Sequence, residues 1–254
     1  MQPSASAPLP VPAVQLGAPV FSAGGVIRKS FSVWFANFVP FSIVTLVVYV
    51  PVFVLAAFMP PEGGQGWRAA DRVLSGIAGL VVTGALTSGV LGSLRGERAS
   101  VGALFGTGFR KMGWVFAVSF RVGLWIILGT LLLVVPAIVW YCALFVAVPA
   151  VVVEANLGSS SDALQRSRDL TKGSRWAIFT IALVVAVVSA VAVLVGGVLA
   201  ALAQALPQPV PIVIATAVIA LVSSLGACAS AVAYHDLRVA KEGVSTADLV
   251  KVFE

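Results

Sequence analysis

The chain has 254 residues, of which 59% are hydrophobic and only 10% charged, and its mean hydropathy is +1.04. Soluble globular domains carry about 25% charged residues, so water is not the main solvent here. No composition break marks a second, soluble domain, and a separate catalytic domain has no room.

The formal charge of +6 would point to nucleic acid in a soluble protein. Here the basic residues flank apolar runs, where they set topology and meet anionic lipid headgroups, so no nucleic-acid partner is expected. Cys142 and Cys228 both fall within apolar runs and read as small packing residues, not as a disulfide or metal pair. No cofactor is expected, and zinc needs more ligands than the chain offers.

Residues 1–20 combine Pro, Ala and Ser without charge or periodicity, the composition of a disordered tail. They lack the basic start and short apolar run of a signal peptide. From Ile27 the positions Phe31, Trp34, Phe35 and Phe38 continue one helical face beside Arg28 and Lys29. This spacing predicts a short interfacial helix running into a first span at about 39–59, kinked at Pro51.

A second span is expected at about 73–94, where Gly84, Ser88 and Gly92 recur every four residues. That recurrence fits a seam for close helix approach, and equally the chance product of an Ala/Gly-rich run. A second amphipathic stretch, with Val101, Leu104, Phe105, Gly108, Phe109 and Met112 on one face, follows Arg95 and Arg98.

From Met112 to Val153 a continuous helix would be about 63 Å long, twice the hydrocarbon thickness. The run must fold back, and Pro136 divides it into spans at about 113–134 and 137–153. Beyond it, Ser159 and Asp162 form a capping pattern, 162–172 a polar helix, and Gly173 its stop. No formal charge interrupts the chain from Trp176 to His235. Two more spans are therefore expected, at about 177–203 and 210–234, hinged at 204–209.

The expected fold is an all-α polytopic membrane protein of six transmembrane helices arranged as three hairpins. Short amphipathic interfacial helices precede spans one, three and five. The membrane domain covers 21–243, between a cytoplasmic tail at 1–20 and another at 244–254. Of the sixteen Lys and Arg residues, thirteen fall on the side holding both termini. The positive-inside rule makes that side cytoplasmic.

Basic residues, then Trp, then Phe recur in RKSFSVWF at 28–35, RKMGWVF at 110–116 and TKGSRWAIF at 171–179. Basic anchors and aromatic belts account for the recurrence wherever a span leaves the cytosol; three true repeats are the alternative.

Val135-Pro136, the span ending in Val153-Glu154, then Asp162-Ala163-Leu164-Gln165-Arg166-Ser167 and Leu170-Thr171-Lys172-Gly173 form one motif set. Tyr234-His235-Asp236-Leu237-Arg238 with Lys241-Glu242-Gly243 forms another. Together they resemble an uncharacterised bacterial family of integral membrane proteins, YciC-like, related to the membrane domain of some glycerophosphodiester phosphodiesterases. Ala137 departs from the glycine that often follows the family's proline. The resemblance implies a membrane domain without the phosphodiesterase activity, which belongs to a separate soluble barrel in the bifunctional relatives.

The structural or interaction candidates are Arg121, Glu154, Arg166, Ser167, Lys172, Gly173, Tyr234, Asp236, Arg238 and Glu242. Arg121 is the one charge inside an apolar span, and such charges default to functional candidates. Three readings stand: an ion pair with Glu154 across spans three and four, free snorkelling, or a pore or substrate contact.

Asp236 with Arg238, and Asp169 with Arg166 or Lys172, read as ion pairs fastening the cytosolic ends. His235 and Asp236 read as a helix-edge anchor, since neighbours on a helix point apart. The 167–173 segment is a candidate dock for a protein partner or lipid headgroups.

The function expected is that of a non-enzymatic membrane organising or interaction protein, contacting lipid or a protein partner through its cytosolic helices. A transporter or permease-like component is the alternative, disfavoured by the scarcity of polar residues within the spans. An enzyme acting on lipid comes third.

Overall fold

A computed structural model describes residues 21–58, 64–97, 100–132, 134–154, 157, 159–207 and 209–243, without the side chains at 107–110, 112, 127, 129–132, 134 and 135. The expected tails at 1–20 and 244–254 lie outside the described residues, which are helical throughout apart from short turns. The helices are α1 (Ala23–Ala36), α2 (Phe38–Val48), α3 (Val50–Phe58), α4 (Gln65–Leu94) and α5 (Val101–Leu132). They continue with α6 (Val134–Leu144), α7 (Ala147–Val153), α8 (Ser160–Thr171), α9 (Arg175–Leu202) and α10 (Val210–Glu242).

Among the described residues four helices are long and apolar enough to cross a bilayer, or up to five if the bent pair α1 and α2 is one span. The chain therefore has the build of a multi-pass membrane protein. Its outer surface agrees: Leu183, Val187, Val191, Leu194, Val198 and Leu202 of α9 are all exposed at helical spacing, Leu202 at 76%. A stripe of that kind faces lipid, since water would penalise it.

Local chemistry explains the breaks. α1 and α2 meet at 80°, and Asn37 sits at the corner. Its side-chain amide donates to the Val33 carbonyl at 3.0 Å and to Ser93 Oγ of α4 at 2.8 Å, which ties the bend to the neighbouring helix. α1 starts earlier than its apolar face suggests, because Ser22 caps it by accepting from the Gly25 N–H at 3.2 Å.

Pro51 has no N–H for the Val47 carbonyl, and the kink expected there falls at Tyr49, between α2 and α3. Pro149 does the same to the Phe145 carbonyl, and the helix yields at 145–146, between α6 and α7. The stretch at 101–112 is not a separate interfacial helix: α5 runs unbroken from Val101 to Leu132, since no Pro or Gly pair interrupts it near Met112.

α10 is the hub, packing against α9, α4, α1, α2, α3, α7 and α8. Every residue from Ala227 to Tyr234 is buried. The run ACASAVA makes this possible, because small side chains admit helices from all sides. Cys228 belongs to it, and both cysteines are free and buried.

A close backbone approach occurs elsewhere: a Cβ on Gly196 of α9 would lie 3.1 Å from the Ala215 carbonyl oxygen of α10. The Gly84, Ser88, Gly92 seam is not such a contact. Gly84 faces the Val115 side chain and Gly92 faces Glu97 of the following turn, while Gly89 meets Leu104 and Phe41.

Candidate functional site

The polar side chains of α7, α8 and α10 converge on a clasp centred on Glu154. This residue ends α7, where the backbone turns extended. α8 begins after a turn, held by Ser159 Oγ accepting from the Asp162 N–H at 3.2 Å. It stops where Gly173 takes φ +86°, a left-handed conformation that disfavours other residues. α10 likewise ends on Gly243 at φ +64°. These stops set the reach of the groups between them.

The Glu154 carboxylate accepts from Arg166 Nε at 2.8 and 3.1 Å and from the Tyr234 hydroxyl at 2.7 Å. A second guanidinium nitrogen of Arg166 pairs with Glu242, which also accepts from Arg238 Nε at 3.1 Å. Arg238 in turn donates to the Tyr234 oxygen at 3.3 Å and lies over its ring, 5.8 Å from the centroid. Two carboxylates, two guanidiniums and one phenol thus close a ring across three helices.

Burial works against the charge on Arg166, but hydrogen bonds and attraction from Glu154 and Glu242 outweigh it and raise the pKa. At Glu242 desolvation pushes upward, and the hydrogen bonds from Arg166 and Arg238 win, holding the carboxyl below its ordinary value.

A second contact pins α8. Ser167 Oγ donates to the Ala143 carbonyl at 2.8 Å and Thr171 Oγ1 to the same oxygen at 3.2 Å. Ala143 lies just before the break that Pro149 causes. Both hydroxyl residues are fully buried, so Ser167 is no part of an accessible dock. Lys241 Nζ binds the carbonyls of Asp169 and Lys172 at 2.6 and 2.7 Å, closing the C-terminal end of α8 against the end of α10. α1 joins through Lys29, whose Nζ is 2.9 Å from Asp236.

Several expected pairings are replaced. Arg121 forms no ion pair with Glu154 among the described residues; Glu154 is taken by Arg166 and Tyr234. Arg121 lies instead beside Ser161, Gln165, Arg168 and Asp169 of α8. The sequence estimate matched depths along one hairpin, whereas α8 folds back between the two residues.

Asp236 pairs with Lys29 and not Arg238, and Arg238 pairs with Glu242. Arg166 reaches Glu154 and Glu242 and not Asp169. His235 and Asp236 do touch, with Nδ1 3.1 Å from the carboxylate, while His235 Nε2 is buried without a partner. The carboxylate is already committed to Lys29, so the pair is an anchor.

Tyr234, Arg166, Arg238 and Glu242 are brought together; Arg121 is not among them. Lys29 and Lys241 make contacts that the sequence alone does not single out. Their signal is a lysine at each end of the chain, and nothing local says what it meets.

The arrangement can hold three helices at fixed spacing and carry charge in balance. The described residues contain no group of three or more His, Cys, Asp or Glu suited to a metal ion. Comparison of the chain with family models, curated proteins and solved structures gave no match.

Proposed function

We propose that this chain is a non-enzymatic, multi-pass organising or interaction protein of the bacterial inner membrane, related to the YciC-like family. Both termini and α8 are placed in the cytoplasm. The observation that carries the reading is the clasp: its carboxylates are paired with its guanidiniums, and its phenol is bonded on both sides. Groups committed to one another in this way fix a cytosolic surface, where a nucleophile or general base would need a free valence.

The six-span arrangement belongs to the same proposal. Support comes from the packing of α5 with α6 and of α9 with α10; α4 packs on α5 and α10 as well as on α2 and α3. α8 meets Trp125 and Ala143, leaving seven to nine residues of α5 and of α6 between it and the break after Leu132, which falls ahead of the expected Pro136, about 10–14 Å along the axis. Whether this pair crosses or turns back within the bilayer, it enters and leaves on one side. The cytoplasmic assignment of α8 is the same in both cases.

Reporter fusions at residues 64 and 158 and at the C-terminus test the orientation; a periplasmic signal at 158 sinks it. In a cysteine-free background, labelling of Ala137→Cys by an impermeant maleimide from the periplasm marks a full crossing. Purification in mild detergent with lipid and protein identification tests the role, comparing wild type with Glu154→Gln. Turnover of a lipid substrate by the purified chain would refute it.

One observation favours a second reading, a transporter-like component. A cavity of about 400 Å³ lies between α4, α5, α6, α7, α9 and α10, with Thr83, Ser119, Tyr141, Ser223 and Ser230 on its wall. Ser119 Oγ there is buried and has no hydrogen-bond partner among the described residues. Solute flux into proteoliposomes that Ser119→Val abolishes would select this reading.

A further inference from the structure

A groove of about 620 Å³ opens between α5 and α8, outside the clasp. Its size is within the roughly 300–1,000 Å³ range of ligand pockets. Arg121 and Arg168 both line it, and neither enters an ion pair among the described residues, in contrast to Lys29, Arg166 and Arg238. Arg121 is exposed, yet it stands between Phe120, 65% exposed, and Leu124, 49% exposed. A cation on a lipid-contacting face is costly without an anion to meet it. Arg168 has its guanidinium carbon over the Trp125 ring, 5.4 Å from the centroid, a cation–π contact that engages the face of the group and uses none of its N–H donors.

The remaining wall specifies the anion further. Asp169 adds one carboxylate, so the charged side chains lining the groove sum to a single positive charge, and Ser161 and Gln165 add neutral hydrogen-bonding groups beside them. Leu124 and Leu128 continue it as an apolar track.

We propose that this groove binds the headgroup of a monoanionic glycerophospholipid, phosphatidylglycerol, drawn from the surrounding bilayer. The phosphodiester sits between Arg121 and Arg168, the headgroup glycerol hydroxyls donate to Asp169, and an acyl chain follows Leu124 and Leu128. A zwitterionic headgroup leaves the net charge uncompensated, and a free phosphate makes no use of the apolar track. The site deepens the proposed role and rests on its reading of the chain as membrane-embedded with α8 at the cytosolic surface.

The full chain, purified in mild detergent and delipidated, is titrated by native mass spectrometry with phosphatidylglycerol, phosphatidylethanolamine, phosphatidic acid and inorganic phosphate. Phosphatidylglycerol is expected to bind at least about tenfold more tightly than phosphatidylethanolamine, with no retention of inorganic phosphate. The R121Q/R168Q variant loses about tenfold in that affinity. Asp169→Asn narrows the preference for phosphatidylglycerol over phosphatidic acid, whose headgroup has no glycerol. Arg168→Lys, a milder change that keeps the charge, is expected to lose several-fold through the stacked, two-pronged geometry and serves if the double variant does not fold.

Equal binding of phosphatidylglycerol and phosphatidylethanolamine overturns the site. So does full affinity in R121Q/R168Q at wild-type thermal stability, full affinity in Arg168→Lys, or binding of inorganic phosphate as tight as that of the lipid. A chain that meets the topology test and lacks lipid turnover, but shows no such preference, sinks the site alone. A periplasmic α8 sinks both.

Discussion

Glu154 offers the sharpest test of the tertiary arrangement, because sequence depth-matching and the folded structure give it different partners. Its side chain is 18% exposed and that of Arg166 26%, between the surface regime, where an ion pair is worth about 0–1 kcal/mol, and the buried regime, where losing one partner costs about 3–5 kcal/mol. With three hydrogen bonds to its carboxylate, Glu154→Ala is expected to cost about 2–3 kcal/mol.

The measurement is a pair of double-mutant cycles by reversible unfolding in mixed micelles, followed by circular dichroism. Glu154→Ala with Arg166→Ala should give a coupling energy of about 1–2 kcal/mol, since each single change already removes the shared contact. Glu154→Ala with Arg121→Ala should be additive within about 0.5 kcal/mol. Additivity in the first cycle, or coupling above 1 kcal/mol in the second, refutes the clasp geometry.

Three further outcomes are expected. Gly196→Val should destabilise by about 1–3 kcal/mol, measured by thermal unfolding, because the new side chain meets the Ala215 backbone, which cannot rotate away. Ser167→Ala and Thr171→Ala should each cost about 1 kcal/mol, and the double variant more than their sum, because only it strips both hydroxyls from the Ala143 carbonyl. Glu242 has a folded pKa below its ordinary value of 4.5, so its contribution is present above that value and is lost as pH falls through the folded pKa. An acid titration of unfolding should therefore lose part of its slope below pH 4.5 in Glu242→Gln, and an unchanged profile removes Glu242 from the clasp.

The all-helical, membrane-type class and the two ends of α8 were legible because they follow from local physics. A run without charge has one solvent it can occupy, Ser159 with Asp162 satisfies the first N–H groups of a helix, and Gly173 supplies a left-handed stop. Proline at 51 and 149 removes donors wherever it falls, and of the two only Pro51 is an expected kink. The 80° corner at Asn37 was not legible, since it depends on Ser93, fifty-six residues away.

The same division runs through the site. The sequence by itself determined that α8 is a polar helix between apolar runs, because capping and composition are properties of one segment; that the last helix continues to Glu242, with Tyr234, Arg238 and Glu242 one turn apart, is a finding of the structure. Only the tertiary structure decided that α8 folds back, giving Glu154 to Arg166 and leaving Arg121 beside Arg168. Charges attract whichever opposite charge the packing brings near, and that packing is set by the small residues of α10 and the Gly196 contact, which carry no charge of their own.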